Sequence, residues 1–174
     1  MAQVTFSGPI RSLNGLYTRG PGSIITNTAS TLTITPQAHG GRIIYNNVAT
    51  TTITLPAVDV TAGATGDNPN NLGVVYTFYI AATATAVKIR TTSSSPGDLF
   101  VGSLVSGKDG ILTAGGTATF IPNGSSNDVI SMNGTTTGGI AGSYLSVVAV
   151  ATNTYLVQGV LIGSGTLATP FADS

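Results

Sequence analysis

Apolar and polar residues alternate with a period of two along most of this chain. The alternation puts successive side chains on opposite faces of a strand and therefore predicts β-structure. The segments that carry it lie about 8 to 12 residues apart, which is typical of a sandwich or a barrel. They are "TLTIT" (31–35), "RIIYN" (42–46), "TTITLP" (51–56), "VVYTFYI" (74–80), "VKIR" (87–90), "LFVGSLV" (99–105), "TATFIP" (117–122), "DVISMN" (128–133), "YLSVVAV" (144–150) and "TYLVQGVLI" (154–162).

Turn-forming residues separate these segments, and no convincing helix pattern is present. The turn signals are Asn46-Asn47, Lys108-Asp109-Gly110, Asn123-Gly124, Asn133-Gly134 and Asn153. We therefore predict an all-β fold, an antiparallel β-sandwich or barrel, jelly-roll-like, of about ten short strands.

Three stretches break the strand rhythm. Residues 1–30 are rich in Gly and Pro and are predicted to form an extended N-terminal arm; residues 31–174 are predicted to form a single β domain. Residues 57–73 form a long polar loop. From about residue 163 we expect an extended C-terminal tail with Phe171 as its anchor. The apolar residues of the arm, which we expect to contact a partner, are Phe6, Ile10, Leu13, Leu16 and Tyr17.

Composition narrows the classes of function. Charged residues make up 7% of the chain, and six Lys or Arg balance six acidic residues. Such a chain has no basic patch for nucleic acid or for an anionic membrane surface. Apolar runs are interrupted well before the ~18 residues that span a bilayer. We therefore expect neither nucleic acid nor a membrane as a partner.

The only histidine is the first place to look for catalysis. A hydrolase triad would need His39 with an aspartate and a serine, but the chain has no GxSxG motif. His39 precedes Gly40 and Gly41, where the chain can turn freely, so we expect it to bond to the backbone of a turn. Arg42, at the start of the next strand, is expected to pair with an aspartate such as Asp98. We predict no enzymatic activity and no catalytic residues.

Metal and cofactor sites are equally poorly supported. There is no cysteine and no second histidine, so a zinc site would depend on carboxylates. A calcium site is conceivable in the long loop, at Asp67, Asn68, Asn70 and Asn71, but one carboxylate makes a weak site. The glycine-rich stretches precede no helix and thus form no phosphate cradle. We expect no metal and no cofactor, and we interpret the threonine arrays at 50–54 and 82–86 as strand exteriors.

The order of several short patterns resembles a known group of proteins. These patterns are "HGGRIIYNN", "TTITLP", "GVVYTFYIA", "GDLFVGS" and "ISMNGTTTGGIAGSYLSVVAVATNTYLVQGVLIGSGTLATPF". Together they resemble small β-rich structural proteins of tailed bacteriophages, which are found mainly as head decoration, or cement, proteins. The similarity covers about residues 32–171, and its most specific part is 133–171.

The resemblance implies a non-enzymatic role on the outer surface of the virion capsid. It implies the major capsid protein as partner and a homotrimer at three-fold or quasi-three-fold positions. Two alternatives remain open. One is a tail, neck or fibre-tip module that recognises a receptor; the other is an extracellular ice- or carbohydrate-binding domain, which the lack of a visible export signal disfavours.

Overall fold

The structure is a computed structural model that describes residues 23–61, 70–92, 97–108 and 116–174. Within these residues the chain forms twelve strands and one short helix, α1, at Pro36–His39. The strands are β1 Ile24–Asn27, β2 Thr31–Thr33, β3 Ile43–Asn46, β4 Thr50–Thr54, β5 Val75–Ile80, β6 Ala86–Arg90, β7 Leu99–Lys108, β8 Thr117–Phe120, β9 Val129–Met132, β10 Tyr144–Ala151, β11 Thr154–Gly163 and β12 Phe171–Ala172.

The strands form two sheets, an arrangement consistent with a β-sandwich. The larger sheet has seven strands in the order β1-β3-β5-β10-β11-β7-β8, and the smaller has five in the order β12-β9-β6-β4-β2. One cluster of buried apolar residues draws on both sheets, including Phe78 and Phe100 from the larger and Ile53 and Ile130 from the smaller. The all-β prediction is confirmed, since the inward positions of the alternating segments form this core.

All ten predicted segments contain a strand, and two short strands were missed. β1 lies within the predicted arm, which was extended to residue 30, yet Ile24–Asn27 pairs in parallel with β3. The rest of the predicted arm, residues 1–22, lies outside the described residues, as do its five apolar side chains. β12 lies in the predicted tail and pairs with β9. Phe171 is only 5% exposed, which confirms it as the anchor of the tail.

The prediction of an antiparallel fold is wrong for half of the strand pairs. Five of the ten pairs are parallel: β1 with β3, β3 with β5, β2 with β4, β4 with β6, and β7 with β11. For the four pairs among β1 to β6, the cause is that these strands alternate between the two sheets. A chain that crosses to the other sheet and returns resumes its original direction, so its neighbours within one sheet are parallel.

Buried asparagines mark the corner where the chain crosses between sheets. Asn46, predicted to sit in a turn, ends β3 and is fully buried; Asn27, at the end of β1, is 3% exposed. Asn27 Nδ2 donates to Asn46 Oδ1 at 2.8 Å, and Asn46 Nδ2 donates to the carbonyl oxygen of Val48 at 2.8 Å. Since buried amides need such partners, these bonds hold the β1-to-β2 and β3-to-β4 crossings in register.

Candidate interaction surface

The turn around His39 is a one-turn helix whose polar groups bond to each other. Thr35 precedes α1, and its Oγ1 accepts the N–H of Ala38 at 3.3 Å. His39 is 8% exposed, and its Nδ1 accepts the N–H of Thr35 at 3.0 Å. The same nitrogen also lies near Oγ1 and the carbonyl oxygen of Thr35, at 3.5 and 3.2 Å. His39 thus bonds to the backbone of its own turn.

Gly40 and Gly41 let this turn pack against the start of β5. A Cβ atom on Gly40 would lie 2.6 Å from the carbonyl oxygen of Pro36 and 2.9 Å from Val74 Cγ1. Gly41 has a φ of 68°, in the left-handed region that favours glycine, and its N–H donates to the carbonyl oxygen of Val75. Arg42 follows with its N–H on the carbonyl oxygen of His39. The expected pairing of Arg42 with an aspartate stays a prediction.

Side chains that could bind a metal ion were searched for clusters in the part of the chain that the structure describes. No group of three or more His, Cys, Asp or Glu side chains there is placed to hold a metal ion. In the same ranges, no helix has the length and hydropathy needed to cross a bilayer.

The residues considered as candidate calcium ligands are partly engaged elsewhere. Asp67 and Asn68 lie outside the described residues. Asn71 is 1% exposed; its Oδ1 accepts the N–H of Asp59, and its Nδ2 donates to the carbonyl oxygen of Ala57. The side chain of Asn71 therefore supports the fold instead of presenting an oxygen to an ion.

A second buried polar group, Asp98, fixes the neighbouring segment of chain. Asp98 is 3% exposed, and its Oδ2 accepts the N–H of Val58 at 2.9 Å. The hydroxyl of Tyr155 donates to the carbonyl oxygen of Pro56 at 2.7 Å. Burial raises the pKa of Asp98 above its ordinary value, and the bond from Val58 opposes this rise. Burial also raises the pKa of Tyr155.

The raised pKa of Asp98 predicts a specific pH dependence of stability. The folded state binds this proton more tightly than the unfolded chain, so the Asp98 contribution becomes more favourable as pH falls through the raised pKa towards 3.8. Asp98→Asn has no charge to bury. The free energy of unfolding of this variant minus that of the wild type should be largest at neutral pH and shrink on acidification. Urea titrations of both proteins between pH 4 and 7 measure it; a difference that grows at low pH contradicts the assignment.

The outer face of the smaller sheet is polar. Strand register places Thr31, Thr52, Lys88 and Ser131 in one row across β2, β4, β6 and β9. Thr33, Thr54 and Arg90 lie in the next row. A shallow groove of about 280 Å³ lies over Thr52, Lys88 and Arg90. Outward-facing threonines and two cations are what a sheet exposed to water usually carries.

The outer face of the larger sheet has a different character. Tyr45, Tyr79 and Tyr144 are adjacent in one row across β3, β5 and β10. They are 36%, 38% and 51% exposed, and the rings of Tyr45 and Tyr79 stack at 5.6 Å with 19° between their planes. We call this surface the tyrosine face. It covers six strands, in the order β1, β3, β5, β10, β11 and β7 across the sheet. Its members, in the same order, are Ile24, Thr26, Ile43, Tyr45, Val75, Thr77, Tyr79, Tyr144, Ser146, Val148, Leu156, Gln158, Val160, Val101, Ser103 and Val105.

None of the sixteen members of the tyrosine face is charged. Ile24 is 50% exposed at one edge, and Leu156 is 37% exposed four strands away. The hydroxyls of Thr77 and Ser146 lie between these apolar groups and bond to each other at 3.1 Å. The face is therefore broad, uncharged and mainly apolar, with its central hydroxyls already paired.

Sequence reasoning did not find the tyrosine face, although a signal for it exists. In "VYTFYI", the outward positions Val75, Thr77 and Tyr79 are nearly as apolar as the inward ones. Two apolar sets in one strand indicate that both of its faces are covered.

Comparison of the chain with protein-family models, with curated proteins and with solved structures gives no match.

Proposed function

We propose that this chain is a non-enzymatic structural protein of a tailed-phage virion. In this role it binds the outer surface of the capsid and stabilises it by clamping neighbouring major capsid subunits. The ordered sequence patterns over about residues 32–171 support the phage assignment. The observation that carries the structural role is the tyrosine face, because a sheet surface of this kind is adapted to contact another protein chain, which can be a second copy of this one.

The physical case depends on the contrast between the two outer faces. Large contiguous apolar patches are rare on monomers and mark sites of interaction. The buried centres of protein interfaces are depleted in charge and enriched in tyrosine. The tyrosine face has both properties, whereas the outer face of the smaller sheet carries Lys88 and Arg90 among threonines. The larger sheet is therefore the side that contacts protein.

Ring geometry favours protein over a glycan as the ligand of this face. A sugar stacks on the flat face of an aromatic ring. The rings of Tyr45 and Tyr79 are nearly parallel and stacked on each other, so they cover one face of each ring. Each of these two rings therefore has at most one face left for a sugar, whereas an apolar protein surface can pack against the whole row of tyrosines.

The proposed clamping of capsid subunits depends on several contacts made at once by one homotrimer. A homotrimer brings three arms and three domains to one site, so weak contacts add through effective concentration. Because the chain has no net charge, its contacts with capsid subunits depend on apolar burial and backbone hydrogen bonding. Binding only to the assembled shell stabilises that shell by mass action.

Immunogold electron microscopy of virions of the phage that encodes the chain tests this proposal. An antibody against the purified protein should label heads uniformly. Label confined to tails, necks or fibre tips would instead establish the alternative, a receptor-binding module. Virions without label would overturn a structural role in the particle.

A further inference from the structure

We infer that the tyrosine face is the surface through which copies of this chain contact one another, with three such faces turned towards a three-fold axis. The three-fold stoichiometry rests on the proposed function. The identity of the partner, a second copy of the same chain, rests on the face itself.

Charge is the first reason for choosing a second copy as the occupant. Every copy presents the same uncharged set of side chains, so copies meet without like-charge repulsion and without burying an unpaired ion. A charged partner surface would gain no counter-charge here and would lose its hydration. The surface that complements an uncharged, mainly apolar face is another one of the same kind.

The dimensions of the face also fit. Six strands about 4.8 Å apart make it about 24 Å wide, and three rows of outward residues make it about 20 Å tall, or about 500 Å² per copy. Two copies in contact would bury about 1,000 Å² in total and three copies about 1,500 Å², so either assembly reaches the roughly 1,000 Å² that a specific interface needs.

The position of the tyrosines suits a triangular arrangement. Three faces about 24 Å wide that form a triangular prism lie about 7 Å from the axis at their midlines. β5 and β10 form the midline of the tyrosine face, and they carry Tyr79 and Tyr144. Tyrosine side chains are long enough to fill a gap of this width. Shorter side chains, such as Val101 and Val105 on β7, lie towards one corner.

The first experiment introduces a charge at the centre of the tyrosine face. Tyr79→Lys would place three ammonium groups around the axis, whereas Thr33→Lys adds the same charge to the exposed outer face of the smaller sheet. Light scattering after size exclusion at about 10 μM should show trimers for the wild type and Thr33→Lys, and folded monomers for Tyr79→Lys. Circular dichroism verifies folding.

The second experiment is a cross-linking test that uses the absence of cysteine from the chain. A short bismaleimide should link pairs of Tyr79→Cys copies and leave Thr33→Cys copies unlinked. If Tyr79→Lys does not fold, the cross-linking experiment alone decides whether copies contact one another through the tyrosine face. A monomeric wild type, a trimeric Tyr79→Lys or equal linking of both cysteine variants overturns the inference, and any stoichiometry other than three overturns the three-fold arrangement. Because no heads are present, a trimer that later fails to bind heads would overturn the proposed function alone.

Discussion

Replacing Phe171 with alanine is expected to lower the free energy of unfolding by about 3–5 kcal/mol. The Phe171 side chain belongs to the common core, yet β12 holds it by only two residues paired with β9. The variant loses the burial energy of the ring and leaves a cavity between the sheets. Because domains of this size are stable by about 5–15 kcal/mol, the loss would be a large fraction of the total.

Urea denaturation at one fixed protein concentration measures this effect, since association also contributes to apparent stability. Leu72→Ala is the control, because the Leu72 side chain is 41% exposed and its truncation should cost under about 1 kcal/mol. Equal costs for the two variants would show that the end of the chain does not anchor the sandwich.

Removing residues 1–22 is expected to leave a folded domain that binds heads at least about tenfold more weakly. The described strands begin at Ile24, and the apolar core cluster consists of residues from Ile34 onward, so the domain keeps its core. The loss of binding is expected because a clamp that loses one of its linked contacts loses the associated effective concentration. Co-sedimentation of the truncated and full chains with undecorated heads measures both affinities.

A full-length variant separates side-chain contacts from chain length. It replaces the five apolar arm residues, Phe6, Ile10, Leu13, Leu16 and Tyr17, with serine. If apolar contacts hold the arm to the capsid, this variant should bind as weakly as the truncated chain. Unchanged affinity in both proteins would remove the arm from the binding mechanism.

The strands could be predicted because burial acts on individual residues. Inward residues such as Tyr76, Phe78 and Ile80 must be apolar for the sheets to pack, and this requirement leaves a period of two in the sequence. β1 was missed because its two isoleucines, Ile24 and Ile25, are adjacent and show no alternation, and β12 was missed because two residues carry too little of that pattern. Their position is decided by the strands beside them, β3 and β9.

The pairing of the strands could not be predicted, because it depends on contacts between residues far apart in sequence. Asn46-Asn47 fits a hairpin turn as well as a crossing between sheets. What distinguishes the crossing is the bond between Asn46 and Asn27, 19 residues away. Similarly, the sequence around His39 indicates a turn, whereas its Thr35 partner follows from the helical geometry of Pro36–His39. The tyrosine face needs β3, β5 and β10 side by side, which only the topology provides.

Binding to heads tests the central claim most directly. Undecorated heads are titrated with purified protein at several NaCl concentrations, and bound protein and the melting temperature of the heads are measured together. Contacts made by apolar burial are insensitive to modest salt, whereas contacts between exposed charges are screened within about 8 Å at physiological ionic strength. We expect saturable binding from roughly 0.05 to 1 M NaCl, with head melting rising in proportion to occupancy. Absence of binding, or binding without any rise in head melting, would contradict a capsid-stabilising role.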